Sequence, residues 1–227
     1  MNEPTVVAIF DLDGTLYTGH IIHGIAQHHR KHRVKRLRLN IFMVSHMALW
    51  PLYRTGLLSE ASIRELWACH MAWTIAGWSP QEAETAFAWI SEHYVRPLVR
   101  PDIMARLQLH QESGHRVIIV SGTPAPLLAE IGRQLGVSET VGTPLIVRAG
   151  RYTGACDLPV CQGQNKVLHL ERYLNSDKSA LGNQTTYAYA DSHTDLPLLE
   201  WADHAIAVFP DPQLLAYARS RKWEIVG

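Results

Sequence analysis

A doubly wound parallel α/β sheet with an inserted bundle of helices is the architecture this 227-residue sequence predicts. Three observations predict it. Short apolar, β-branched runs recur with helical stretches between them, as buried parallel strands with crossover helices require. Between the first such run and the second, from about Thr18 to Tyr94, only helical patterns occur. From Pro101 onward strands and helices alternate to the end of the chain.

The first strand is Val6-Val7-Ala8-Ile9-Phe10, ended by the polar turn Asp11-Leu12-Asp13-Gly14-Thr15-Leu16. Within the insert, six of the eleven residues from His28 to Arg38 are Arg or Lys. An apolar, aromatic-rich helix follows from Leu39 to about Arg54, with Gly56 at its stop. Ser59 caps a helix running towards Ile75, and Gly77 breaks the pattern. Ser79-Pro80-Gln81-Glu82 sets Ser at the cap, Pro first in the helix and Glu third, which predicts a capping box. That helix reaches about Tyr94 and buries Ala83, Ala86, Phe87 and Ile90. Trp67, Trp73, Trp78 and Trp89 read as packing residues of the insert.

After Pro101 a helix ends near Gly114, and Val117-Ile118-Ile119-Val120 is the second buried strand. Thr123-Pro124 caps and starts the next helix, which Gly136 closes. Thr140 to Val147 and Tyr152 to Cys156 flank Gly150-Arg151 and predict a hairpin. A helix begins near Asn165. A strand runs from Thr185 to Ala190, and a short helix covers Leu196 to Trp201. Ala205 to Val208 form another strand. Asp211-Pro212 starts the last helix, and Trp223 to Val226 form a final short strand. The domain reading is a core of residues 1–17 and 95–227 with a helical insert at 18–94.

Composition excludes several classes. A 47% hydrophobic fraction excludes a largely disordered chain. Twenty-one basic and 21 acidic residues cancel, so global charge predicts no nucleic-acid partner. Three cysteines leave at least one unpaired, which fits a reducing cytosol; Cys156 and Cys161 read as buried or incidental thiols. The N-terminal residues show no basic-then-apolar signal pattern. The longest membrane-like stretch, Ile41 to Tyr53, is too short to span a bilayer. A soluble cytoplasmic protein is expected, with its oligomeric state open.

Ligands of such sheets collect beyond the carboxyl ends of the strands. The residues there are Asp11, Asp13 and Thr15 after the first strand, Ser121 and Gly122 after the second, and Asp191 with Asp195 after a later one. Lys166 comes from the start of the helix after the hairpin. Clustered carboxylates suit Mg²⁺, which shares its shell with phosphate. A hydroxyl and a free N–H beside a helix N-terminus suit phosphate oxygens, and a lysine neutralises remaining charge.

Asp-Leu-Asp-Gly-Thr-Leu, then Val-Ser-Gly after an apolar strand, then Lys166, then Asp191-Ser192-His193-Thr194-Asp195 resemble the four ordered motifs of the haloacid dehalogenase superfamily. The helical insert and the Gly-Arg-Tyr-Thr-Gly hairpin resemble its subfamily IB, the phosphoserine-phosphatase-like branch with a C1 cap on a Rossmann-like core. The resemblance implies a Mg²⁺-dependent phosphomonoester hydrolase. In it Asp11 is the nucleophile that forms an aspartyl-phosphate, and Asp13 is the general acid and base. Asp11, the Asp13 carbonyl and Asp191 hold Mg²⁺, with Asp195 in support. Ser121, Gly122, Thr15 and Lys166 hold the phosphoryl group. Two departures stand out. Ala190 replaces a common Gly, and His20 stands where phosphoserine phosphatases usually carry a Glu for the substrate's ammonium group. The expected substrate is therefore a small phosphorylated metabolite, with strict phosphoserine specificity in doubt and His20 a candidate specificity residue.

Two alternatives stay open at this level: a lipid phosphate handled at a membrane surface, and a non-catalytic phosphate-binding protein. The basic run ahead of Ile41-Phe42-Met43 and Met47-Ala48-Leu49-Trp50 has an interfacial amphipathic character, so peripheral membrane contact is weighed against an ordinary cap with a charged outer face. His20, His23, His28, His29 and His32 sit among basic residues and are expected on a solvated helix rather than around a metal.

Overall fold

The computed structural model describes residues 5–55, 60–176 and 184–227. Gly56 and Ser59, expected at a helix stop and a helix cap, lie outside the described residues. A six-stranded parallel sheet forms the core: β1 (Thr5–Asp11), β2 (Arg116–Pro124), β3 (Glu139–Thr143), β6 (Gln184–Ala190), β7 (His204–Val208) and β8 (Glu224–Val226). Their order is β3-β2-β1-β6-β7-β8, and every pairing is parallel. The order turns around at β1, between β2 and β6, which is where an open α/β sheet forms its crevice. Register makes the crevice useful. Asp11 pairs with Val120 and Phe10 with Tyr189, so Asp11, Ser121 and Asp191 emerge at neighbouring levels of one sheet edge.

Both faces of the sheet are covered, as the period-2 placement of side chains demands. Val7, Ile9, Ile118, Val120, Ala188 and Ala190 pack beneath α7 (Gln164–Ser176), α8 (Leu196–Trp201) and α9 (Pro212–Arg221). Ala8, Phe10, Ile119, Tyr189, Ile206 and Val208 pack with α5 (Pro101–Glu112) and α6 (Ala125–Leu135) on the other.

Among the described residues four α-helices stand between β1 and α5: α1 (Ile21–Lys31), α2 (Arg36–Arg54), α3 (Glu60–His70) and α4 (Pro80–Ile90). A 3₁₀ turn, Met71–Ile75, extends α3, and a π turn, Ser91–Val95, extends α4. Ile21, Ile25, Phe42, Met71, Ile75, Phe87 and Ile90 are buried and continuous with the α5 side of the core. The capping box forms as expected. The Glu82 N–H donates to Ser79 Oγ at 3.2 Å, and the Ser79 N–H to Glu82 Oε2 at 2.7 Å. Gly77 breaks the chain with φ +82°.

Three local expectations are corrected. His28 and His29 are buried, not solvated. His29 Nε2 meets the Thr74 carbonyl at 2.8 Å, and both rings pack against Trp78, so the insert uses them as core residues with a polar handle. His20, His23 and His32 are exposed as expected. The stretch from Thr140 to Val147 divides in two: β3 joins the main sheet, and only β4 (Leu145–Arg148) forms the hairpin with β5 (Arg151–Cys156). Pro144 lies between them, a residue unable to donate to a ladder. Thr123 does not cap α6. Its N–H donates to Ser121 Oγ at 3.1 Å, and its hydroxyl oxygen accepts from Ser121 Oγ at 3.0 Å. Among the described residues no helix is long and apolar enough to cross a membrane.

Candidate active site

Asp11 closes β1 and is only 4% exposed. Its Oδ1 accepts from Lys166 Nζ at 2.6 Å and its Oδ2 from the Thr15 hydroxyl at 3.0 Å, fixing the carboxylate from both sides. Lys166 is supplied by the first turn of α7 and also meets Asp195 Oδ1 at 2.7 Å. Thr15 reaches Asp191 Oδ1 at 3.2 Å as well. One hydroxyl and one ammonium thus tie together groups from β1, α7 and the loop after β6.

Charge does not balance in this cluster. Asp11, Asp191 and Asp195 each offer an oxygen within 4.8 Å of the others, and among the described residues Lys166 is the cation paired with them. Burial pushes the Asp11 carboxyl well above its ordinary range; Lys166 pulls it back, and the charges of Asp195 and Asp191 push it further up. Burial, then Asp195, raises Asp191 to about 6. For Lys166 burial opposes the charged form, but the carboxylates of Asp11 and Asp195 override it and hold the ammonium protonated. Asp195 Oδ1, although 2.7 Å from that ammonium, accepts no hydrogen bond in proper geometry.

The residues fit a hard divalent cation. Three acids, one under-satisfied, converge without enough positive charge. Gly14 leaves room for them: it has φ +83°, and a Cβ there would fall 2.1 Å from Asp191 Oδ2. This motif glycine is thus required twice, by its backbone conformation and by the carboxylate lying against it. Arg100 Nε holds the same loop through the Gly14 carbonyl at 3.1 Å.

Asp13 is arranged differently. Its carboxylate accepts from the Tyr17 hydroxyl in a short hydrogen bond, and from the Ile21 N–H at 3.2 and 3.3 Å. The side chain sits at the N-terminus of α1, apart from the three-acid cluster. Burial raises its pKa against the lowering effect of the Tyr17 bond. Ser121 is buried in β2 beside Gly122, just past Val120, where the pairing with β3 becomes irregular.

A cleft of about 680 Å³ opens over these groups, lined by Asp11, Asp13, Ser121, Gly122, Lys166 and Asp191 from the sheet edge. From the insert His20, Ile22, His23, Trp67 and Met71 face it. Thr15 lies beneath, buried, and reaches the site only through its hydroxyl. All residues singled out in the sequence therefore meet at one end of the sheet. Three others were not anticipated. Tyr17 and Arg100 carry no motif signature. Asp211 was read only as a helix start. It does cap α9, through the Gln213 and Leu214 N–H groups, but it also accepts from the His193 N–H at 2.7 Å and braces the loop after Asp191. Burial works against its ionisation, yet the Leu214 and His193 N–H groups hold it down to about 2.

The chain belongs to the haloacid dehalogenase-like hydrolase family, whose pattern matches residues 8–200. It is 31% identical over 158 residues to a Mycobacterium tuberculosis protein named probable phosphatase, covering 70% of this chain. It spans about half the length of such curated relatives, 54% in that case. A histidinol-phosphatase of Neisseria meningitidis serogroup C is 27% identical over 97% of this chain and 98% of its own. A Bordetella pertussis Tohama I crystal structure of unknown function superposes with TM-score 0.86 at 27% identity, covering 99% of both chains.

Proposed function

We propose that the protein is a Mg²⁺-dependent phosphomonoester hydrolase acting on a small phosphorylated metabolite. One observation carries the reading: a buried carboxylate, Asp11, held by Lys166 and Thr15 at the floor of an open cleft, with two further acids beside it. A buried Asp–Lys pair with only a structural role has no need of such a cleft or of the excess acids.

The geometry supports the following roles. Asp11 attacks phosphorus and forms an aspartyl-phosphate, dividing hydrolysis into two easier displacements. Lys166 and Thr15 fix its carboxylate, so the nucleophile costs little reorganisation. Asp13, with its raised pKa and its place on the α1 side of the cleft, protonates the leaving alcohol and then takes a proton from the attacking water. Ser121 and the Gly122 N–H receive phosphoryl oxygens, and Lys166 offsets their charge. Asp11, Asp191 and the Asp13 carbonyl would hold Mg²⁺, with Asp195 in support; the ion would supply charge neutralisation for the phosphoryl group.

Residues 18–94 serve as a cap that closes the cleft and selects the substrate through His20, Ile22, His23 and Trp67. His20 offers no fixed negative charge for an ammonium group near the phosphate, which argues against phosphoserine. Similarity to the Neisseria histidinol-phosphatase extends along the whole chain, insert included, which makes histidinol phosphate the first substrate to try. Phosphate release from p-nitrophenyl phosphate and from histidinol phosphate, with and without Mg²⁺, tests the reading. Wild type should be active and Asp11→Asn inactive on both. Wild-type turnover no higher than that of Asp11→Asn, across a panel of phosphorylated amino acids, sugars and polyols, would sink it.

A further inference from the structure

Helix α2 is apolar on two opposite faces. Leu39, Phe42 and His46 point inward and are buried. Leu37, Ile41, Val44 and Met47 point outward and are 74, 52, 67 and 69% exposed. At 3.6 residues per turn these four fall along one continuous stripe. They are half of the eight large apolar side chains exposed among the described residues. A stripe this concentrated marks a contact surface rather than the scattered exposure of an ordinary monomer.

Charge identifies the contact. Between Gly14 and Thr55 the chain has seven Lys or Arg and no Asp or Glu, although the whole chain is neutral. Cations are therefore segregated onto this part of the insert. Arg36 and Arg38 flank the stripe on either side of α2, and Arg33 and Arg30 precede it; all four are exposed. None of them forms an ion pair among the described residues. Two lysines of the run are engaged: Lys35 donates to the Ala76 carbonyl at 2.9 Å, and Lys31 lies over the Trp89 ring, 5.0 Å from its centre. Apolar side chains inside an unpaired cationic rim match a surface with anionic headgroups above an acyl layer. A second copy of the chain fits poorly, because a twofold contact through this face would bring its cations against their own images.

We propose that the insert docks on an anionic lipid bilayer through the Leu37–Ile41–Val44–Met47 stripe and its arginine rim. This goes beyond the phosphatase reading and stands independently of it. A second cavity, about 720 Å³, lies behind the same surface, lined by Arg30, Lys31 and Met43 among others. It shares Ile22, His23 and Trp67 with the catalytic cleft, so the docked face and the active site are neighbours.

Co-sedimentation with phosphatidylcholine vesicles, with and without phosphatidylglycerol, tests the proposal. Wild type should pellet with the anionic vesicles only, and less so as salt rises. Arg33→Gln/Arg36→Gln/Arg38→Gln should lower the partition coefficient roughly 100-fold, at about fivefold per cation. Leu37→Ser/Ile41→Ser/Val44→Ser should also lower it, with every charge intact. These side chains are exposed, so both variants should keep the wild-type circular dichroism. Asp11→Asn should bind vesicles like wild type, which separates docking from catalysis. Absence of pelleting at low salt would overturn the proposal. So would pelleting that neither triple variant weakens, or a wild-type dimer in analytical ultracentrifugation that the serine variant dissolves while vesicles are ignored.

Discussion

The sheet edge and the helical insert handle charge in opposite ways. At the sheet edge Lys166 is buried between Asp11 and Asp195, 2.6 and 2.7 Å from their carboxylates. In the insert Arg30, Arg33, Arg36 and Arg38 stay in water, and an imidazole is buried instead: burial lowers the pKa of His29, which meets the Thr74 carbonyl at 2.8 Å. A buried charge must be paired or used, because desolvation costs several kcal/mol per ion. A neutral imidazole needs only a hydrogen-bond partner. The difference separates a cluster built around buried charge from a helical layer packed with apolar and imidazole rings.

The largest effect should come from removing the proposed nucleophile. Asp11→Asn keeps the shape and a hydrogen bond to Thr15 but loses nucleophilicity, and kcat should fall about 10³-fold or more. Circular dichroism should be unchanged. A residual rate within tenfold of wild type would show that the sheet-edge cluster is structural.

Charge burial gives the next largest contrast. Lys166→Ala leaves Asp11 and Asp195 facing each other without a counter-charge and should cost about 3–5 kcal/mol in urea unfolding. Arg30→Ala removes the same charge from the insert's surface and should change stability by less than about 0.5 kcal/mol. Similar losses for the two would erase the distinction between the regions.

That distinction also explains what could be read from residue order. Asp11, Asp13, Ser121, Lys166 and Asp191 were legible because each follows a strand or starts a helix, and parallel topology brings such positions to one edge. Tyr17 and Arg100 were not, since their roles depend on how the loop after β1 folds back onto the sheet. In the insert, Ser79 and Gly77 were legible because caps and breaks are local. His28 and His29 were misread: with basic neighbours on both sides, nothing local shows which helix face meets Trp78 and Trp89. The division of Thr140 to Val147 was hidden too, because both pieces are apolar and extended and only the sheet decides which joins it.

The two regions should answer pH with opposite signs. Burial, with help from His29 and His32, lowers the His28 pKa to about 4, below the unfolded value near 6.5. Its contribution is present above pH 6.5 and is lost as pH falls towards 4. Asp191 is raised to about 6 from 3.8. In EDTA its contribution is fullest below pH 3.8 and is lost as pH rises through 6. Between pH 4 and 6 the slopes oppose each other. Asp191→Asn should therefore lose stability more steeply than wild type on acidification, and His28→Gln less steeply. Mg²⁺ adds a linked effect, because it competes with the proton on Asp191. Saturating Mg²⁺ should raise the melting temperature more at pH 7.5 than at pH 5; an equal shift at both would remove Asp191 from the ion's shell.

The smallest predicted effect tests whether the two regions unfold together. Ser79→Ala removes half of the capping box at the start of α4 and should cost about 1 kcal/mol. Whether that cost spreads depends on how the insert is joined to the core. The Gly77 N–H donates to the Tyr152 carbonyl at 2.7 Å, and the Tyr152 N–H to the Trp78 carbonyl at 2.9 Å. Arg151 reaches the Gly77 carbonyl at 2.8 Å and Glu82 at 3.2 Å. The hairpin of the core is thus bonded to the residues immediately before the cap, and the buried side chains of α1, α2 and α4 continue into the core beneath. One cooperative unit is expected, so Ser79→Ala should shift a single urea transition, identical by tryptophan fluorescence and circular dichroism, with its slope unchanged. Five of the seven tryptophans lie in the insert, so fluorescence reports mainly on it. A fluorescence midpoint that moves while the circular dichroism midpoint stays would show that the insert unfolds on its own.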